Sequence, residues 1–351
     1  MMAEAPLVIR AGAGARRQLE ERGFEADAFS TLVGASGGPK WLVLRHLDDL
    51  LIERLLGNRT TPLTTLGSSI GSMRHACWAQ NDPKAAIARL FESYANQRYD
   101  GRPTPGQVSR ESDRVLAYTL GTEGAAEIAT NERVRSHFVA ARLRGPGKDA
   151  GLGFRLRIAA SALANAVSRD LLGPFYERAV FGPEKPDIGW TDLETRQVPL
   201  VPERVLPGLL AGGSIPFVMG GVREIPGLSG TWFDGGITDY HFDFRFTVPD
   251  GLVLYPHFFD RITPGWFDKP LRWRRPDAGA LDRVLMIAPS DDFVRSLPGS
   301  KVPDRTDFET LGNDARIEQW HEVTERCRVL AEDFADVVDS GKLAARIQPF
   351  D

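Results

Sequence analysis

Thr61-Pro62-Leu63-Thr64-Thr65-Leu66-Gly67-Ser68-Ser69-Ile70-Gly71 carries a β-branched run straight into a serine turn flanked by glycines. Residues 72–80 and 83–96, which follow, have helical spacing of their apolar positions. Upstream, Thr31 to Gly34 reads as a short buried strand, followed by Ala35-Ser36-Gly37-Gly38 and then by an apolar-rich helix to about Leu56. Pro39 suits the first position of that helix, because proline's missing N–H has no intrahelical acceptor there anyway. The order strand, helix, strand, helix predicts a three-layer α/β/α sandwich around a mostly parallel sheet.

The 351 residues suffice for one large or two modest domains with a substantial core. Apolar residues at 42% and charged residues at 26% exclude a disordered or low-complexity chain. A formal charge of -4 argues against a protein whose main task is neutralising nucleic-acid phosphates. Cys77 and Cys327 lie far apart, outside any Cys/His cluster, so the expectation is a reducing, cytoplasmic setting without a disulfide or zinc scaffold. Neither 206–222, broken by prolines and glycines, nor the charged stretch 42–56 can span a bilayer, and Met1 to Arg10 has no secretion-signal pattern.

Further along, 97–110 reads as a loop, 111–130 as helical, 134–143 as a strand, 145–153 as a glycine-rich loop and 154–172 as a helix. A short strand is expected near 198–201, a helix over 205–213, strands at 252–256 and 284–288, and a closing helix over 315–338. With no repeat and no linker, the expectation is a single domain over 1–351: a motif-bearing part of about 30–245 and a less readable part, 246–351.

Gly67-Ser68-Ser69-Ile70-Gly71 fits G-x-S-x-G, the turn that exposes a serine oxygen between a strand and a helix; a tight structural turn is the alternative. Gly34 to Lys40 lacks the glycine-lysine-Ser/Thr ending of a phosphate loop, and Gly12-Ala13-Gly14 has Arg17 where the dinucleotide fingerprint needs glycine. Residues 35–38 therefore read as a glycine turn at a helix start, able to hold an oxyanion on backbone N–H groups or simply to reverse the chain. Asp234-Gly235-Gly236 sets a carboxylate at the end of an aromatic-rich strand.

Three blocks in order resemble the patatin-like phospholipases: SGGPK (36–40), GSSIG (67–71) and AGGSIPFVMGGVREIPGLSGTWFDGG (211–236). The resemblance covers about the first two thirds of the chain. It implies a patatin-like fold, Ser69 as nucleophile, Asp234 as its partner in a Ser-Asp dyad, oxyanion donors at Gly37 and Gly38, and a basic residue at Lys40; Ile70 is a further candidate donor, directly after the nucleophile. Ser36, Pro39 and Trp41 depart from the family pattern, as do the residues after Gly236, which bears on the substrate pocket. The implied activity is lipid acyl hydrolysis of the phospholipase A or esterase type, on an acyl lipid or small acyl ester, with no cofactor and no metal.

Rival readings are an α/β-hydrolase triad completed by His241, His257 or His321, which all follow Asp234; an acyltransferase; and an inert acyl-binding protein. Asp239, His241 and Asp243 alternate as the metal ligands of one strand face would, or as the polar edge of a solvent-facing strand. Finally, 258–276 (FFDRITPGWFDKPLRWRRP) carries five cations against two aspartates, a net +3, interleaved with aromatics. That mixture predicts a loop-like lip with weak, salt-sensitive peripheral membrane contact, against the alternative that its aromatics pack beneath the domain.

Overall fold

The computed structural model describes residues 5–145, 150–186, 188–243, 245–247, 251–277 and 279–350. Among them ten strands share one sheet: β1 (Leu7–Ala11), β2 (Phe29–Gly34), β3 (Leu63–Ser68), β4 (Val134–Leu143), β5 (Tyr176–Gly182), β6 (Thr195–Pro199), β7 (Thr231–Asp234), β8 (Leu252–Pro256), β9 (Val284–Pro289) and β10 (Ile347–Gln348). Their spatial order is β10-β1-β9-β8-β2-β3-β4-β5-β6, with β7 paired to β4. The central run β9-β8-β2-β3-β4 is parallel throughout, while β1–β9, β4–β5 and β4–β7 are antiparallel. Helices flank this sheet, so the mostly parallel α/β class expected from the sequence is the observed one. β8 and β9 are buried at every position, which is why they read as unbroken apolar runs instead of alternating ones.

Register along β4 positions the site. β3 runs parallel to the first half of β4, pairing Ser68 with Val139, whereas β7 runs antiparallel along the second half, pairing Asp234 with Ala140. β5 occupies the other edge of β4 over Phe138 to Leu143, so β7 must lie on the edge used by β3. The C-terminal ends of β3 and β7 therefore meet head to head, on adjacent rungs. At this junction a Cβ on Gly235 would come 2.3 Å from the carbonyl oxygen of Val139, so only glycine fits.

Several boundaries differ from expectation, each for a local reason. A helix begins at Pro105 inside the expected 97–110 loop, because Thr104 and Gln107 form a reciprocal cap: the Thr104 N–H donates to Gln107 Oε1 at 2.8 Å. Gly151 to Gly153 open the helix Gly151–Val167 instead of closing the glycine-rich loop, and 146–149 of that loop lie outside the described residues. The closing helix is two, Asn313–Arg326 and Arg328–Asp339, joined at Cys327. The stretch 246–351, least readable in sequence, supplies β8 and β9 to the middle of the sheet. Cys77 and Cys327 are buried free thiols.

Candidate active site

Ser69 follows the last residue of β3 and precedes the helix Ile70–Trp78, with φ 53° and ψ −125°. That conformation strains any residue bearing a Cβ, and such strain persists only where the surroundings impose it. Here the surroundings are backbone: a Cβ on Gly71 would stand 2.1 Å from the Gly34 carbonyl oxygen, and one on Gly67 would stand 2.4 Å from the Ser72 nitrogen. The two glycines of the motif thus let β2, β3 and the helix close on one another, and the serine takes up the turn between them.

Because β7 ends one rung away, its last residue reaches the serine. Ser69 Oγ donates to Asp234 Oδ2 at 2.7 Å, and the Gly236 N–H donates to Asp234 Oδ1 at 2.6 Å. Burial raises the Asp234 pKa; the hydrogen bond from Ser69, the positive charge of Arg305, the Gly236 N–H and Lys269 partly offset it. The carboxylate is thereby made a stronger base than an exposed aspartate, with one oxygen pinned and the other aimed at the hydroxyl.

The glycine turn 35–38 is tied to the same place. Ser36 N–H donates to the Tyr240 carbonyl at 2.9 Å, and a Cβ on Gly236 would meet Ser36 Oγ at 2.6 Å. Gly37 turns its Cβ side to the Phe258 ring, 2.4 Å from where that carbon would stand. Gly38, at φ 57°, leads a 3-10 helix over Gly38–Leu44 and faces Arg305 and Tyr94. Gly38 and Ile70 are both first residues of their helices, so their N–H groups have no intrahelical acceptor.

Ser69, Ile70 and Gly38 line a cleft of about 780 Å3, whose wall includes Met73, Val115, Phe217 and Arg305. Lys40 is not part of that lining; its ammonium stands 5.9 Å from the centre of the Phe259 ring, and burial lowers its pKa. Lys269, 3.9 Å from the Tyr240 ring centre, is pushed down to about 7 by burial and by the neighbouring charges of Arg305 and Lys40. Arg305 escaped the sequence reading because no motif marks the stretch beyond 245. Phe217 escaped it too: its φ of 70° at the cleft wall is a backbone feature without a residue-type signal.

The sequence matches no known protein-family profile and no curated relative. Among solved structures, human GIVD cytosolic phospholipase A2 overlaps 95% of this chain with a TM-score of 0.41 and 10% identity, and the chain spans 62% of that protein's length. An overlap of that size carries no inference about activity, so the reading of the site rests on the geometry above.

None of the three histidines after Asp234 bonds to Ser69 or Asp234. His241 Nδ1 accepts the Thr263 N–H at 2.8 Å, and His257 Nδ1 accepts the Phe259 N–H at 3.0 Å; their rings lie edge to face 4.3 Å apart. Burial lowers both pKa values, that of His257 to about 3, while His321 lies against Phe91, its Nε2 3.4 Å from Asn96. Around Asp239 the chain is neither a metal-binding strand face nor a solvent-facing strand edge. It is irregular and buried at 239–242, with Asp239 clamped by Arg178 at 2.6 and 2.8 Å.

The expected lip at 258–276 is largely packed. Phe258 and Phe267 are buried and Trp266 half-buried, leaving Phe259 at its edge and Trp273 as the outward aromatics. Asp268 sits beneath it, paired with Arg169 at 3.1 Å and accepting from Asn165 at 2.6 Å. Among the described residues no helix is long and apolar enough to cross a membrane.

Proposed function

We propose that this protein is a serine acyl hydrolase that cleaves acyl esters of lipids through Ser69 and Asp234, without a histidine. One observation carries the reading: a strained serine at a strand-to-helix turn, opening on a cleft, donates its hydroxyl to a buried carboxylate at 2.7 Å. A hydroxyl so held can be deprotonated as it attacks, since the acceptor's basicity is raised by burial.

In the reaction, Ser69 Oγ bonds to the acyl carbon while its proton passes to Asp234 Oδ2. The carbonyl oxygen becomes an oxyanion, for which the N–H groups of Gly37, Gly38 and Ile70 are the proposed donors, each worth about 3 kcal/mol. Collapse breaks the ester bond, and the alcohol leaves with the proton held by Asp234. Water then attacks the acyl-enzyme, gives its proton to the same carboxylate, and the acid is released as Ser69 is reprotonated. Arg305, in the cleft wall, and Lys269 add positive potential beside Asp234; the apolar wall of Met73, Val115 and Phe217 suits an acyl chain.

Two measurements test the scheme. Acid-quenched turnover of a p-nitrophenyl ester should leave an acyl mass on the peptide containing Ser69; an unmodified peptide with continuing turnover would contradict it, and no turnover at all would favour an inert acyl-binding protein. Gly38→Val puts a branched side chain at a left-handed residue, 3.3 Å from Arg305 Nε by its Cβ alone. We expect kcat to fall by about 10²-fold or more as the loop N–H groups shift, beyond the about 1–2 kcal/mol of stability that a side chain at positive φ costs. Losses in activity that merely track thermal stability would make the loop a structural turn.

A further inference from the structure

Helix Gly151–Val167 turns its apolar side outward. Phe154, Ile158, Ser161 and Asn165 face the protein, two of these four being polar, whereas Leu152, Leu156, Leu163 and Val167 are 74%, 61%, 73% and 79% exposed. Three alanines, 159, 160 and 166, fill the same outer face. A helix of a water-soluble surface places its leucines the other way, so this face is built for an apolar partner. Trp273, 71% exposed, stands beside the helix end, where Arg274 Nη2 donates to the Asn165 carbonyl at 2.7 Å. At the other end the Phe154 ring lies 5.3 Å from that of Phe217. Phe217 and its neighbour Val218 are both exposed and both line the Ser69 cleft. The helix that carries the outward leucines is thus anchored, through its buried Phe154, against Phe217 at the cleft mouth.

We infer that this face, the outer side of Gly151–Val167 with Trp273 and Phe217, docks on an anionic lipid surface. Charge selects that occupant over a second copy of the chain. Residues 151–167 and 271–276 hold no Asp or Glu, and although Arg157 bonds the Arg144 carbonyl and Arg274 pairs with Asp268 at 3.7 Å, Arg155, Arg272 and Arg275 are exposed, in a chain whose formal charge is -4. Two copies brought together on this face would oppose arginine to arginine, whereas lipid phosphates would meet the arginines while leucines and the indole enter the acyl boundary. The surface thus differs from the lip expected over 258–276: of that segment only its end contributes. The link to Ser69 rests on the acyl-hydrolase reading, since it is that reading that gives the Phe217 mouth a chain to admit; the docking itself does not.

Co-sedimentation with vesicles of equal phosphatidylglycerol and phosphatidylcholine tests it, using wild type and Leu156→Glu/Leu163→Glu. Both positions are exposed and helix-compatible, so the variant should melt with the wild type and keep its turnover of a soluble short-chain ester. We expect wild type to pellet with these vesicles, less so at high salt or on pure phosphatidylcholine, and the variant's partition to fall about tenfold or more. Equal partition of the two proteins, or wild type left in the supernatant, would overturn the proposal. So would a wild-type dimer in sedimentation equilibrium that the variant abolishes. Vesicle binding reads no turnover, so a chain that pellets without hydrolysing any ester sinks the hydrolase reading alone, and one that hydrolyses without pelleting sinks only the docking face.

Discussion

Asp234→Asn should lower kcat/KM on a p-nitrophenyl ester by about 10³- to 10⁴-fold and yet leave the protein as stable as before, or more so, at neutral pH. The activity loss follows from proton bookkeeping: an amide of nearly the same shape can keep its oxygen on the Gly236 N–H, but its NH2 then faces Ser69 Oγ, to which it can only donate, so it cannot take the serine proton. The stability sign follows from burial. Asp234 has a raised pKa in the folded protein against about 3.9 unfolded, so between those values the native state binds more protons than the unfolded one. Stability then falls as pH rises through that window, and above it the fold carries a desolvated carboxylate that asparagine removes. In the wild type, the acid limb of kcat/KM should lie above the ordinary carboxylate range for the same reason. His257→Gln and His321→Ala, by contrast, should retain substantial turnover, since neither ring bonds to Ser69 or Asp234. A histidine variant as inactive as Asp234→Asn would mean that a triad forms. An Asp234→Asn protein with near-normal kcat/KM would remove the carboxylate from the chemistry.

Ser69→Ala should abolish turnover, by about 10⁴-fold or more, with the fold cooperative and little changed in melting temperature. Alanine loses only the hydroxyl, and it inherits the same φ of 53° with the same steric strain. Ser69→Gly separates strain from chemistry. It should be equally inactive but melt higher than Ser69→Ala, because glycine relieves a conformation that costs residues with a Cβ about 1–3 kcal/mol. If the two variants melt together, the turn is not strained; if Ser69→Ala retains more than a trace of esterase activity, the nucleophile lies elsewhere.

How much of this could be read in the chain depends on whether the signal was local. β2, β3, β8 and β9 were legible because each is a short apolar or β-branched run closed by glycine or proline, and the alternation with helices implied parallel pairing. Ser69 and Asp234 were legible as residues, each at a strand end beside glycines. That they stand 2.7 Å apart was not, since it arises from β7 running antiparallel along the very edge of β4 that β3 has vacated. β1 and β5 escaped the sequence reading: Leu7–Ala11 and Tyr176–Gly182 have their charges, Arg10, Glu177 and Arg178, satisfied by partners distant in the chain, as when Arg178 pairs with Asp239. For a buried ion pair, polarity in the sequence misstates burial in the fold. Arg305 and the outward leucines of Gly151–Val167 were invisible for a third reason. The one is placed in the cleft by a segment without motifs, and a helical period fixes which residues share a face but not which face points to solvent.

The central claim is that Ser69 is an activated nucleophile and not the strained tip of a turn. Treatment of the folded protein with a fluorophosphonate, followed by peptide mapping, tests it most directly. A phosphonyl adduct should form on the peptide bearing Ser69, slow greatly in Asp234→Asn, and be absent from Ser69→Ala. An adduct on any other serine, or none on a protein that turns over esters, would contradict the account.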